Sequence, residues 1–154
     1  MKPKLLTILA LFSLLNCNTM LRENEHSNIA DLAFRGDQYA ISRALSRGGY
    51  INERDSFMRK YTALMVASRE GDLRLAEFLL DRGADVNART PDGHTALMYA
   101  SYNRYPEIVK LLIKRGAKVN TKSSQGHTAL SEVLESDKKT IVEILMSAGA
   151  EEEK

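Results

Sequence analysis

The sequence predicts an all-α solenoid of about four helix-turn-helix hairpins that follows an N-terminal signal segment. The first observation is an internal repeat of 33 residues, a period typical of stacked helical hairpins. The second is that apolar residues within each repeat recur at helical spacing. The third is composition: aromatic residues make up 6% of the chain and tryptophan is absent, so Leu, Ala, Val and Ile build a core that suits thin packed helices.

The chain begins with a basic start and an apolar run. Lys2 and Lys4 precede residues 5–15, which are almost wholly apolar. This pattern predicts a secretory signal peptide over residues 1–16. The run is shorter than the about 20 apolar residues that a transmembrane helix needs.

The only cysteine, Cys17, follows this segment. Leu14-Leu15-Asn16-Cys17 resembles a bacterial lipobox, in which a leucine lies three residues before a lipidated cysteine, although Asn16 stands where the common pattern has Gly, Ala or Ser. The resemblance implies lipidation of Cys17 and firm anchoring, at about 0.8 kcal/mol per buried CH2. An exported or anchored protein without this modification is the alternative. Because the folded part has no cysteine, we expect it to contain no disulfide.

Charge argues against a nucleic-acid partner. Without residues 1–16 the chain carries 20 basic and 20 acidic side chains, so its formal charge is zero. A neutral surface is a poor electrostatic match for a phosphate backbone. Residues 17–27 are polar and are predicted to form a flexible tether, and residues 151–154 form an acidic tail.

The repeat is clearest in three segments that share one register. Thr62-Ala63-Leu64-Met65 returns 33 residues later as Thr95-Ala96-Leu97-Met98 and again as Thr128-Ala129-Leu130-Ser131. A Gly-Ala pair closes each unit, at Gly83, Gly116 and Gly149. We therefore place a repeat domain at residues 28–150, with units at about 28–54, 57–89, 90–122 and 123–150, the first of them degenerate.

Each part of the repeat has a physical reason. Thr62, Thr95 and Thr128 are placed to cap the first helices of their hairpins. The second helices carry one apolar stripe each, formed by Leu75, Phe78 and Leu79 and by Ile108, Leu111 and Leu112. The glycine after each second helix supplies a left-handed residue. Arg104 replaces Gly71 at the turn between the two helices, which costs up to about 1 kcal/mol if the backbone there has positive φ.

This pattern, with Gly-His-Thr-Ala-Leu before a first helix and Gly-Ala-Asp-Val-Asn after a second, resembles the ankyrin repeat. The resemblance covers residues 62–150 clearly and extends weakly to the first unit. It implies a stack in which each hairpin buries its apolar face against its neighbours. It also implies protein binding on a concave face, formed by the open side of the first helices and by the fingers, the loops that connect successive repeats.

When the ankyrin pattern is carried over position by position, every repeat contributes candidate partner-binding residues to this concave face. Tyrosine and arginine most often dominate binding energy, so Tyr61, Tyr102 and Arg69 are the predicted hot spot. A second interpretation is that Tyr99, Tyr102 and Tyr105 only cover the edges of the core. The predicted partner-binding residues are Phe34, Arg35, Met58, Arg59, Tyr61, Arg69, Glu70, Asp92, His94, Tyr102, Asn103, Gln125, His127 and Glu135.

His94 and His127 recur at one place in successive turns, which raises the question of a metal site. Stacked helices are about 8–10 Å apart, whereas zinc ligands lie about 2.0–2.1 Å from the ion, so we favour turn-surface polarity. The sequence also lacks a nucleophile elbow, a phosphate-binding loop and a His-x-x-x-His helix. We therefore expect no catalytic residues, no metal, no cofactor and no small-molecule substrate.

Together these features predict a non-enzymatic protein-binding module, lipid-anchored at the periplasmic or outer face of a bacterial membrane. One hypothesis makes it an accessory that stabilises a periplasmic enzyme, because small exported ankyrin proteins of bacteria include examples that support catalase-type oxidative defence. The alternative hypothesis is a surface-exposed lipoprotein that contacts host or extracellular proteins. Neither hypothesis names the partner.

Overall fold

The computed structural model describes residues 28–55, 59–133 and 139–151. The predicted signal segment, the tether, Cys17, Met58 and Glu135 lie outside this part of the chain. Within it, seven α-helices and one 3-10 turn follow one another, and no β-strand forms apart from an isolated bridge between Arg54 and Thr62. The prediction of an all-α fold is confirmed.

The helices form hairpins in two layers. The first helices are α1 (Ile29–Phe34), α3 (Ala63–Glu70) and α5 (Ala96–Tyr102), and the 3-10 turn Ser131–Val133 takes this place in the fourth repeat. The second helices are α2 (Gln38–Ser46), α4 (Leu73–Asp81), α6 (Pro106–Lys114) and α7 (Lys139–Ser147). Each first helix packs against its counterpart in the next repeat, and α6 packs against both α4 and α7, so the hairpins stack in line.

Side chains fix where the first helices begin. Oγ1 of Thr62 and of Thr95 accepts a hydrogen bond from the backbone N–H three residues on, at 3.4 Å in each case, and Thr128 does so at 3.1 Å. In the degenerate first repeat, Asn28 replaces the threonine and accepts from the N–H of Asp31 at 2.8 Å. The predicted caps are therefore confirmed, and the first repeat has a cap of its own.

The core is a continuous apolar layer between the helices. Residues 63–68 of α3 are all buried. The second helices bury one stripe each, which consists of Leu75, Ala76 and Leu79 in α4 and of Ile108, Val109 and Leu112 in α6. Phe78 and Leu111, which were predicted to belong to these stripes, lie at their edges and are half-buried. Because neighbouring repeats cover each stripe, the hairpins depend on stacking for their stability.

The turn between the two helices of a hairpin explains one irregularity of the repeat. Gly71, after α3, has a φ of 81°, and Arg104, at the same place after α5, has a φ of 65°. The expected positive φ is confirmed, and a side chain in this region costs about 1 kcal/mol. Gly71 has a second role, since a Cβ there would lie 2.5 Å from Cζ of Tyr105. The tyrosine ring thus packs directly on the glycine.

Asparagine side chains connect successive repeats. Asn87 donates to the carbonyl of Gly116 at 3.1 Å and accepts from the N–H of Lys118 at 2.8 Å. Asn120 makes the same two bonds one repeat later, at 2.8 and 3.1 Å. Asn52 of the first repeat accepts a bond from the second at 2.7 Å. These bonds hold the repeats at a fixed spacing, so the side chains of the concave face keep their separations.

Candidate binding surface

The open side of α1, α3 and α5, together with the fingers, presents most of the predicted residues to solvent. Phe34 is 37% exposed and Tyr102 is 62% exposed. The exposed members of the predicted set are Phe34, Arg35, Arg59, Glu70, Asp92, Tyr102, Gln125 and His127, and the partly exposed ones are Arg69, His94 and Asn103.

A chain of aromatic side chains crosses this face from the first repeat to the third. The ring centroids of Phe34 and Tyr61 are 6.3 Å apart, and Tyr61 meets Tyr99 edge to face at 5.2 Å. Tyr99 stacks on His94, with centroids 5.8 Å apart and planes inclined by 26°. Aromatic pairs contribute about 0.5–1.5 kcal/mol beyond the burial of their area. We call Phe34, Tyr61, Tyr99 and His94 the ring chain, and it holds three repeats in register at the concave face.

Two arginines border Tyr61. Cζ of Arg69 lies 5.4 Å from the ring centroid of Phe34 and 5.5 Å from that of Tyr61. Glu70 accepts a hydrogen bond from Nε of Arg69 at 2.9 Å and lies 2.8 Å from its Nη2. Arg59 donates from Nη1 to the Tyr61 hydroxyl at 3.1 Å. Two guanidinium groups are therefore held beside one phenol, by ring contacts and by a hydrogen bond.

The expectation that Tyr61 offers an exposed ring to a partner is wrong. Its side chain is 2% exposed, because it lies against Phe34 and Tyr99. The buried carboxylate of Asp55 fixes its backbone by accepting from the N–H groups of Lys60 and Tyr61, at 3.1 Å each. Tyr61 acts as a support for the arginines around it.

The phenols of Tyr61 and Tyr99 have pKa values shifted in opposite directions. Burial by itself raises the pKa of Tyr61, but hydrogen bonds with the two arginines and with Tyr99 outweigh it and hold the pKa below its ordinary value. The pKa of Tyr99 is raised, chiefly by burial and further by its hydrogen bond with Tyr61. The potential around Tyr61 thus favours negative charge.

A second cluster joins the third and fourth repeats. Oε1 of Glu132 lies 3.1 Å from Nδ1 of His127 and 3.9 Å from Nε2 of His94. Since His94 also stacks on Tyr99, this cluster continues the ring chain into the fourth repeat. Sequence reasoning missed Tyr99 and Glu132 as parts of the site, because their contacts depend on which side chains of neighbouring repeats face each other. The sequence offered one signal for this role: Tyr99 occupies the position in the third repeat that Val66 occupies in the second.

Comparison with known families agrees with this architecture. Residues 29–123 and 64–154 match the family model described as ankyrin repeats in three copies. The chain belongs to the ankyrin-repeat family. No curated relative matches the sequence. The predicted ankyrin solenoid is confirmed, and membership of this family makes the chain a protein–protein interaction module.

Within the ankyrin array, the two interpretations of the tyrosines can now be separated. Tyr99 and Tyr105 are partly buried and pack against the core. Tyr102, by contrast, is exposed at the end of α5 and is free to meet a partner. The neighbouring Asn103 is already committed, since its Nδ2 donates to the carbonyl of Tyr99 at 3.0 Å. Of the three tyrosines, Tyr102 is thus the one suited to binding.

The histidines of this ankyrin face, His94 and His127, contact the carboxylate of Glu132. Across residues 28–55, 59–133 and 139–151, no group of three or more His, Cys, Asp or Glu side chains has the geometry to hold an ion.

The helices in the same three segments are too short or too polar to span a bilayer.

Proposed function

We propose that this chain holds a protein partner on the concave face of an exported, membrane-tethered ankyrin array. The observation that carries the proposal is the ring chain, because it fixes the exposed side chains around it before a partner arrives. Each rotamer-rich side chain that a partner must order costs about 0.5–1.5 kcal/mol on binding. A face that is already ordered avoids much of this cost.

The exposed groups of this face are of the types that anchor protein interfaces. Phe34 and Tyr102 offer apolar rings, and Arg59 and Arg69 offer oriented guanidinium groups. Aromatic and arginine side chains near the centre of an interface commonly supply most of its affinity. A protein partner also fits the formal neutrality of the chain after residue 16, which disfavours nucleic acid.

Export and anchoring complete the proposal. They are supported by the apolar run of residues 5–15 and by the single cysteine, Cys17, that follows it. A binding module tethered at the periplasmic face of a membrane would act on proteins of the same compartment. We propose that it stabilises a neighbouring periplasmic enzyme and performs no chemistry of its own.

Crosslinking in native membranes, followed by purification of the crosslinked protein, tests the binding surface. Tyr102→Ala removes an exposed ring from α5, and we expect it to lose most of the partner that the wild type captures. Tyr39→Ala is the matched control, because this ring is 80% exposed on α2, in the layer of second helices. If both variants capture the partner like the wild type, or both lose it, the concave face is not the binding surface.

Cys17→Ser tests the anchor. We expect this variant to leave the membrane fraction and to lose acyl labelling; unchanged fractionation and labelling would rule out the lipid.

Protease treatment of intact cells then tests the compartment, since a periplasmic module is spared. Its removal by protease would favour the surface-exposed alternative.

A further inference from the structure

We propose that the partner presents an acidic side chain, aspartate or glutamate, which binds between Arg59 and Arg69 at Tyr61. This inference rests on the proposed function and specifies the chemistry of the partner at the centre of the interface. Its basis is that two guanidinium groups converge on one phenol. Arg59 bonds to the phenol oxygen at 3.1 Å, and Cζ of Arg69 lies 5.5 Å from the ring centroid.

Arg69 is held in an orientation suited to a carboxylate. Its contacts with the rings of Phe34 and Tyr61 restrict the guanidinium group, and Glu70 engages one edge of it, through Nε and Nη2. A planar fork that is already ordered loses less entropy for each hydrogen bond it forms with a carboxylate. The side chain of Arg69 is 36% exposed, so its charge is screened less than that of a fully solvated arginine.

Arg59 supplies the second positive charge. Among the described residues, its hydrogen-bond partner is the Tyr61 hydroxyl and no carboxylate lies within ion-pair distance of it. Asp92, on the neighbouring finger, attracts it without forming such a pair. The charge of Arg59 is therefore available to an anion that a partner brings.

The phenol between the arginines indicates which charge this place favours. Although burial raises the pKa of Tyr61, hydrogen bonds with Arg59, Tyr99 and Arg69 and the charge of Arg59 outweigh it, so the pKa lies below the ordinary value. A carboxylate matches two guanidinium groups both in charge and in planar geometry. An acidic segment of a protein thus fits this place better than an apolar or a basic one.

Binding of fluorescein-labelled oligoglutamate to the purified full-length protein, followed by fluorescence anisotropy at low salt, tests the inference. Oligoglutamine of the same length measures the contribution of the uncharged peptide. We expect oligoglutamate to bind and oligoglutamine to bind far more weakly. Arg59→Gln and Arg69→Gln should each weaken oligoglutamate binding by about two- to fivefold, the loss typical of an ion pair between exposed groups.

Arg82→Gln is the matched control. Cζ of Arg82 lies 3.7 Å from the ring centroid of Phe78 at the end of α4, so the variant removes the same charge and the same kind of ring contact from the layer of second helices. Its affinity for oligoglutamate should equal that of the wild type. Glu70→Gln should act in the opposite direction and tighten binding several-fold, because Glu70 competes for Arg69 within the protein.

Equal binding of the two peptides, or equal losses in Arg59→Gln and Arg82→Gln, would overturn the inference. Arg59 lies on an exposed finger, so its variant should keep the fold, which circular dichroism verifies. If Arg69→Gln unfolds, Arg69→Lys replaces it in the test. Lysine keeps the positive charge but lacks the planar guanidinium fork, so Arg69→Lys should still weaken binding.

Capture of the natural partner by the same variants distinguishes failure of this inference from failure of the proposed function on which it rests. If its capture needs Tyr102 but neither arginine, the concave face binds as proposed and the acidic anchor is wrong. If its capture ignores Tyr102 and both arginines, the proposed binding surface is itself wrong, even where oligoglutamate still binds at the arginines.

Discussion

Tyr61 illustrates how a buried side chain can govern an exposed surface. Phe34 and Tyr99 cover its ring, while its hydroxyl and its ring face position Arg59 and Arg69. The binding chemistry of the face therefore depends on a residue that is itself almost wholly buried. Substitutions of Tyr61 would change affinity through the arginines.

The phenols of Tyr61 and Tyr99 make the stability of the fold depend on pH in the alkaline range. Because the pKa of Tyr99 is raised in the folded protein, above about pH 10 the unfolded chain loses a proton that the folded chain retains, so stability falls as pH rises. Tyr61, whose folded pKa is lowered, has the opposite effect, and Tyr99→Phe removes the destabilising contribution of Tyr99. We expect Tyr99→Phe to lose less stability than the wild type as the pH is raised.

Denaturant unfolding at neutral pH and above about pH 10 measures this difference. Tyr39→Phe serves as the control, because Tyr39 is 80% exposed. An identical loss of stability with pH in wild type, Tyr99→Phe and Tyr39→Phe would contradict the assignment.

At the scale of the elements, the sequence was informative wherever the cause is local. A threonine caps the first helix, and the turn that follows α3 or α5 contains a residue of positive φ, Gly71 or Arg104. The fourth repeat departs from this register, since Ser131–Val133 forms a 3-10 turn where the repeat predicts a first helix. Thr128 and Ser131 still form a reciprocal cap there, in which each side-chain oxygen accepts from the other residue's backbone N–H, at 3.1 and 2.8 Å.

Two first helices carry a buried serine at the same place. Ser68 and Ser101 are 0% exposed, and in the described part of the chain their hydroxyls have no hydrogen-bond partner. Ser68→Ala and Ser101→Ala should each raise the free energy of unfolding by about 1 kcal/mol, because they remove an unsatisfied polar group. Denaturant unfolding checks this. Ser46→Ala is the control, since that hydroxyl is exposed and bonded to a carbonyl at 2.8 Å, and a gain as large as at Ser68 would contradict the explanation.

The turn after α5 gives a further prediction. Arg104→Gly should raise the free energy of unfolding by up to about 1 kcal/mol, since glycine adopts positive φ without strain. Gly71→Ala should lower it by more than that, because the new Cβ would also meet the Tyr105 ring. Thermal unfolding of both variants measures these changes. A loss of stability in Arg104→Gly would mean that its side chain makes contacts worth more than the strain.

At the scale of the whole molecule, the array is predictable and its binding chemistry only partly so. Spacing predicts which positions face outward, and Phe34, Arg59 and Tyr102 are exposed as expected. The burial of Tyr61 and the roles of Tyr99 and Glu132 follow from contacts between repeats that lie 33 residues apart, and a repeat pattern does not specify these pairs. The partner is still less predictable, because recognition side chains vary independently of the core that stacks the hairpins.

The central claim is that the ring chain and the arginines beside it form the surface that holds a partner. Hydrogen–deuterium exchange of the full-length protein, with and without the captured partner, tests this claim most directly. We expect the partner to slow exchange at residues 59–71 and 94–104, on the concave side of the second and third repeats. Protection confined to the second helices, at residues 73–81 and 106–114, would contradict it.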